Sequence, residues 1–227
     1  MRALELGLLA AICWGFHDVC VRFISQKTPI SACIFIVLIV GLIFHIGLMI
    51  PAKEITIISK VAFLYATLAG VSFVIASFCL YFAFKRGPVK LVAPLIASYP
   101  ILSISWAIWI GTSVTKLQIL AVLAIIFGVS VVAILSDNSE EQIPPIGRTI
   151  VLSLIAASAF ACTFATGQAA AELSPHMSVT LVTRIISILL CIIIIYFAGL
   201  EFWPGTSAIP WLIAMGCADG IALWCVF

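Results

Sequence analysis

The sequence predicts an all-α multi-pass membrane protein, built as two inverted repeats of five transmembrane helices, with eight of those helices present in this chain. The first observation behind this prediction is composition: 64% of the 227 residues are hydrophobic and only 9% are charged. A typical soluble domain has roughly 25% charged residues. So few charges do not cover a water-soluble protein of this size, and the mean hydropathy of +1.32 indicates many membrane spans.

The second observation is the division of the chain into apolar segments. Each has close to the roughly 20 residues needed to cross the hydrocarbon core, and each must be a helix because backbone groups in lipid are satisfied only within the segment. The first segment contains a tryptophan, a histidine and an aspartate and has no small-residue cleavage site, so it is interpreted as a span rather than a signal peptide. The eight predicted spans are residues 3–25, 30–50, 60–84, 88–110, 117–135, 149–170, 176–198 and 209–227.

The third observation is a repeat at a constant offset of 146 residues. Three separated blocks share this offset without a gap, which indicates a tandem duplication. The matching residues are Leu8, Ala10 and Ala11 with Leu154, Ala156 and Ala157, Thr28-Pro29 with Ser174-Pro175, and Gly70, Ile75, Ala76 and Cys79 with Gly216, Ile221, Ala222 and Cys225.

The repeat divides the chain into a first five-helix unit at 1–135, a polar linker at 136–148 and a second unit at 149–227. Because five is odd, the second unit enters the membrane from the opposite face, and the units are inverted repeats. The second unit holds three of its five helices, so we expect this chain to be a fragment of a ten-helix protein.

Charge and cysteine usage argue against several other classes of function. The formal charge of +2 and the lack of a basic tail predict no nucleic-acid partner. The eight cysteines lie within apolar runs and have neither CxxC nor Cys/His spacing, which favours a packing role over a metal site or disulfides. We therefore predict no metal and no cofactor.

Ionisable residues within spans are costly in lipid and are candidates for function. The first span carries Trp14, His17, Asp18 and Arg22, of which Trp14, Asp18 and Arg22 share one helix face. A carboxylate beside an imidazole could exchange a proton or bind a cationic group of a substrate. The alternative is an Asp18–Arg22 pair that anchors the helix at the membrane rim.

Two further charges lie within later spans. Arg184 belongs to a polar stripe on the seventh span. It is a candidate for binding an anionic group or lining a cavity, or else a structural residue bonded to carbonyls of a neighbouring helix. Asp219 lies in the middle of the eighth span, between Ala218 and Gly220, and is a candidate proton or cation site.

Breaks and small residues mark other spans. Pro94 and Pro100 in the fourth span remove backbone donors and free carbonyls, so a kinked helix with Pro100 near a binding site is expected. Small residues at every fourth position predict close helix packing in the first and sixth spans. These stripes are Ala3, Gly7, Ala11 and Gly15, and Ala157, Ala161, Ala165 and Ala169.

Several of these segments together resemble the EamA-type family of the drug/metabolite transporter superfamily. The residues that carry the resemblance are Ala11 with Trp14-Gly15, Ala93-Pro94 through Pro100, Gly111 to Gln118, Arg184, and Gly216 to Leu223. Two positions depart from the family pattern. Thr112 stands where the family often has a glutamate, and Leu38 stands where it often has an arginine matching Arg184.

The resemblance implies that both termini are cytoplasmic and that the protein lies in a bacterial cytoplasmic membrane. The sequence leaves the orientation open, because an N-terminus inside would put four basic residues on the inner side and six on the outer side. A homodimer is also left open.

We therefore expect a secondary active transporter that moves a small organic metabolite, amino-acid-like or a related compound, by alternating access, coupled to protons or another gradient. The predicted substrate or coupling site comprises Trp14, His17, Asp18, Pro100, Arg184 and Asp219. Two other classes stay open. A membrane-embedded transferase would need a cluster of catalytic groups, and a channel would need a filter loop. The expected partners are the metabolite, membrane lipid and H+ as the coupling ion.

Overall fold

The protein folds as a bundle of α-helices, which a computed structural model describes for residues 3–52, 57–135 and 146–226. A short 3-10 turn at Thr206–Ala208 precedes the last helix. The helices of the described part are α1 Ala3–Ile24, α2 Ile30–Ala52, α3 Lys60–Arg86, α4 Val89–Ile96, α5 Tyr99–Trp109, α6 Lys116–Leu135, α7 Ile146–Ala171, α8 His176–Phe197 and α9 Ile209–Val226.

The helices confirm the predicted membrane architecture. Seven helical segments in the described residues are long and apolar enough to cross a membrane, one of them formed by α4 and α5 together. The predicted fifth span corresponds to α6, of which the part Lys116–Val131 is apolar but shorter than the seven long segments. Residues 136–145 of the predicted linker lie outside the described residues, and the helix that follows begins at Ile146, three residues earlier than predicted.

Helix α3 lies at the centre of the bundle and packs along α7 and α8. Its side chains at these contacts are small, and Ala62, Ala66 and Ala69 are fully buried. Hydroxyl groups of the neighbouring helices donate to its carbonyls: Thr183 Oγ1 to Ala66 at 3.3 Å and Ser187 Oγ to Gly70 at 3.0 Å. In an apolar environment these bonds add to van der Waals packing in holding helices together.

Two helix crossings are so close that only glycine fits. A Cβ atom on Gly70 of α3 would lie 2.7 Å from the Thr183 carbonyl oxygen and 3.0 Å from Ile186 Cβ on α8. A Cβ atom on Gly216 of α9 would lie 3.0 Å from the Val37 carbonyl oxygen and 2.6 Å from Val40 Cβ on α2. The numbers of all three residues in the second crossing differ from those in the first by 146.

The same exchange relates whole helices. Helix α1 packs on α9 as α7 packs on α3, and α2 packs on α9 as α8 packs on α3. A two-fold axis between the halves would produce this pairing. The division into a unit at 1–135 and a unit at 149–227 stays a prediction, which the paired contacts support.

The small-residue stripes behave differently in the two halves. On α7, Ala157 and Ala161 are buried. On α1, Ala11 and Gly15 are exposed, and a Cβ atom on Gly7 or Gly15 would meet no described atom within 4 Å. The prediction of close packing is therefore wrong for α1 among the described residues, because residue spacing defines a helix face and not the element that covers it.

Candidate functional site

A cavity of about 290 Å³ lies inside the bundle, between α1, α2, α3, α7 and α9, with α4, α5 and α6 closing one side. Its lining combines a few polar groups with many apolar and aromatic side chains, as is usual for small-molecule sites. The polar and aromatic residues that line it are Trp14, His17, Asp18, Phe73, Ser77, Tyr81, Phe84, Tyr99, Phe160, Phe164 and Asp219.

One side of the cavity carries a hydrogen-bonded chain of three residues. The two ring nitrogens of His17 contact Asp18 Oδ1 at 3.1 Å and the Tyr81 hydroxyl at 3.2 Å. With Asp18 ionised and the ring neutral, Nδ1 donates to the carboxylate and Nε2 accepts from the phenol. His17 and Tyr81 are buried, whereas 39% of the Asp18 side-chain surface is exposed.

A second cluster surrounds the Asp219 carboxylate. Arg184 Nη2 donates to Asp219 Oδ2 at 2.5 Å, and Trp14 Nε1 donates to Oδ1 at 3.3 Å. The side chains of Arg184 and Asp219 are only 1% and 4% exposed. Both carboxylate oxygens are thus engaged within the protein, and a charge-assisted bond of this kind is among the stronger hydrogen bonds in proteins.

The Arg184 guanidinium lies between a glycine of α2 and an aromatic ring of α3. A Cβ atom on Gly41 of α2 would lie 3.2 Å from Arg184 Cζ, so no side chain could occupy that position without displacing the arginine. On its other side the guanidinium lies 5.1 Å from the centre of the Phe73 ring, within the range of a cation–π contact. Arg184 is thus paired with a carboxylate and not with the backbone carbonyls of a neighbouring helix, the alternative stated above.

The fourth predicted span is broken near the cavity. Pro94 lies inside α4, and Pro100, in the first turn of α5, has no N–H to continue the helical hydrogen bonds. The chain turns at Ser98, whose hydroxyl donates to the Leu95 carbonyl at 2.6 Å. As a result Tyr99 lines the cavity and Pro100 does not.

Aromatic rings form a continuous wall, which we call the ring wall and define as Trp14, Tyr99, Phe160 and Phe164. The centre of the Phe164 ring lies 5.4 Å from that of Trp14 and 5.3 Å from that of Tyr99. Phe160 stacks on Phe164 with centres 6.3 Å apart. These contacts hold the rings against one another, and all four residues line the cavity.

The structure brings most of the predicted site residues together. Trp14, His17, Asp18 and Asp219 line one cavity, Arg184 lies behind Asp219, and Pro100 lies outside the lining. The roles of Tyr81, Phe160 and Phe164 were not predicted, because an aromatic residue in an apolar helix does not differ in hydrophobicity from the residues around it. Among the described residues, no group of three or more His, Cys, Asp or Glu side chains could hold a metal ion.

Comparisons with known proteins agree with this architecture. An uncharacterized protein of Methanocaldococcus jannaschii is 29% identical over 133 residues, which are 58% of this chain and 96% of that relative. That relative is therefore about as long as one predicted five-helix unit. The family model described as the EamA-like transporter family matches residues 1–134, more than half of the chain. The multi-pass helical membrane fold and this match together show that the chain belongs to the EamA-like transporter family.

Proposed function

We propose that the protein is a secondary active transporter that moves a small organic metabolite across a bacterial cytoplasmic membrane, with the cavity as its substrate site. The observation that carries this proposal is the convergence of His17, Asp18 and Asp219 on one cavity inside an apolar bundle. Charged groups are expensive at this depth and are retained where they meet a substrate, an ion or one another.

Alternating access is the mechanism we propose for this movement. The paired crossings at Gly70 and Gly216 are related by the 146-residue offset, and three of the four helices that they join, α2, α3 and α9, line the cavity. Rocking of one half against the other about these crossings would open the cavity to each side of the membrane in turn. Many side chains at the crossings are small or are short hydroxyls, so few large side chains would block such a rotation.

We further propose that protons couple to transport through His17 and Asp18, with Asp219 on the same cavity and Arg184 bonded to Asp219. Asp18 is exposed to the cavity and is linked by His17 to Tyr81. Asp219, by contrast, is buried and accepts hydrogen bonds from Arg184 and Trp14. In this proposal Arg184 has a structural role, because it holds the cavity-lining Asp219 in place.

The experiment begins with purified protein and a thermal-shift screen of small metabolites, since a ligand stabilises the state that it binds. A solute found in this way is then loaded with the protein into proteoliposomes, and its uptake is followed with and without an imposed pH gradient. The proposal predicts accumulation that depends on the gradient and a loss of that dependence in Asp18→Asn. Equal uptake in protein-free liposomes would reject transport, and unchanged gradient dependence in Asp18→Asn would reject the coupling role.

A further inference from the structure

The charges that face the cavity do not balance. The described lining residues include two carboxylates, Asp18 and Asp219, and no lysine or arginine. The charge of Asp219 is matched by Arg184, which donates to it from behind the lining. Asp18 contacts the imidazole of His17, and no lysine or arginine of the described lining is available to pair with its carboxylate.

The unmatched charge is also the accessible one. Asp18 is 39% exposed, and the buried His17 that contacts it satisfies one carboxylate oxygen. Asp219 is 4% exposed and both of its oxygens accept hydrogen bonds. A molecule that enters the cavity therefore meets Asp18 and not Asp219 as its ionic partner.

The surface next to Asp18 suits the apolar part of a cation. Asp18 follows Trp14 by one helical turn on α1, and Trp14 belongs to the ring wall. The faces of aromatic rings carry negative electrostatic potential and attract ammonium groups, most strongly where water is excluded. The same rings provide apolar area for a hydrocarbon body, and a cavity of about 290 Å³ holds only a small molecule.

We propose that the substrate is a small organic monocation, a protonated amine on an aryl or alkyl body, with its ammonium at Asp18 and its body along the ring wall. This inference rests on the proposed function, in that it treats the cavity as the substrate site. It also excludes free amino acids as the best substrates. The carboxylate of an amino acid would need a cationic partner, and the guanidinium of Arg184 is 1% exposed, lies outside the cavity lining and donates through Nη2 to Asp219.

A series of ligands that share one ring and differ in charge separates the effect of ligand charge on binding from the effect of ligand shape. The probes are 2-phenylethylamine, 2-phenylethanol, 3-phenylpropionate and phenylalanine, which share one ring and differ in charge. Binding to the purified protein is measured by isothermal titration calorimetry. We expect the amine to bind about tenfold or more tightly than the alcohol, and the carboxylate to bind least well. Equal or tighter binding of 3-phenylpropionate or phenylalanine would overturn the proposal.

Two sets of variants test the placement of the cation. In Asp18→Asn the preference for amine over alcohol should fall to about twofold or less, since the ionic contact is removed. An unchanged preference would overturn the role of Asp18. If Asp18→Asn fails to fold, Tyr99→Leu serves instead. It should weaken amine binding about threefold or more while Tyr99→Phe, which keeps the ring, does not. Equal effects of the two Tyr99 substitutions would overturn the role of the ring wall.

Failure of this inference is distinguishable from failure of the proposed function, because binding and transport are measured separately. Gradient-dependent uptake of a neutral or anionic solute, without amine binding, would support the proposal of a transporter and reject the proposal of a cationic substrate. Tight, Asp18-dependent amine binding without movement of the amine into proteoliposomes would support the cation site and reject the proposal of a transporter.

Discussion

Asp18 and Asp219 both line the cavity, but their side chains differ in exposure and in hydrogen-bond partners. Asp219 on α9 is sealed, and its oxygens accept hydrogen bonds from Arg184 and Trp14. Asp18 on α1 is 39% exposed and contacts the neighbouring His17. Charge inside this helical bundle therefore has two uses. A matched, desolvated pair joins helices, and an unmatched, accessible charge is left for a ligand.

The sealed pair also occupies a special place in the predicted repeat. Asp219 has Phe73 as its counterpart 146 residues earlier, and Arg184 lies between the two. The counterpart of Arg184 is Leu38, a buried apolar residue. The ion pair thus lies within the second predicted unit, between α8 and α9, and its counterparts in the first unit, Leu38 and Phe73, carry no charge.

Removal of the arginine should have the largest effect on stability. We expect Arg184→Met to lower the free energy of unfolding by about 3–5 kcal/mol, because it leaves the Asp219 carboxylate buried without its cation. The measurement is equilibrium unfolding in mixed detergent micelles. Arg184→Met combined with Asp219→Asn should recover part of the loss, since the neutral amide still accepts from Trp14. A double variant no more stable than Arg184→Met would contradict this account of the pair.

Substitutions at the paired glycines should come next. Gly70→Ala and Gly216→Ala should each destabilise the protein by about 1–3 kcal/mol, because the added methyl group overlaps backbone or side-chain atoms of α8 or α2. Gly47→Ala on α2 is the matched control, since a Cβ there meets no atom within 4 Å. Thermal unfolding of the three variants should rank Gly47→Ala as the most stable, and a similar loss at all three glycines would argue against close crossings.

The indole that bonds Asp219 should contribute less. Trp14→Phe keeps a ring in the ring wall and removes the Nε1 donor that lies 3.3 Å from Asp219 Oδ1. We expect a loss of about 1 kcal/mol in the free energy of unfolding, the usual net value of one such bond. A loss as large as that of Arg184→Met would mean that the indole, and not the guanidinium, dominates the Asp219 cluster.

The accessible carboxylate should matter least for stability and most for function. Asp18→Asn should change the free energy of unfolding by less than about 1 kcal/mol, because a partly exposed pair gives little and the amide still accepts from His17. Gradient-driven uptake in proteoliposomes should nevertheless be lost. Strong destabilisation by Asp18→Asn would place Asp18 with Asp219 as a structural group and would remove the contrast between them.

Much of the fold follows from residue type along the chain. The predicted spans are found as helices because each is apolar for the width of a bilayer and is bounded by charges or prolines. The break in the fourth span was also predictable, since Pro94 and Pro100 each remove a backbone donor. The exposed stripe at Gly7 and Gly15 was not, because local spacing does not show which element covers a face.

The order of residues along the chain is enough to predict a bundle of membrane helices and to identify the charges that lie within spans, where lipid makes them costly. The partners of those charges are visible only in the folded bundle. The pairing of Arg184 with Asp219 and the exposure of Asp18 depend on helices that are distant along the chain. Coulomb energies depend on separation and desolvation in three dimensions, so a list of residues in one dimension does not contain them.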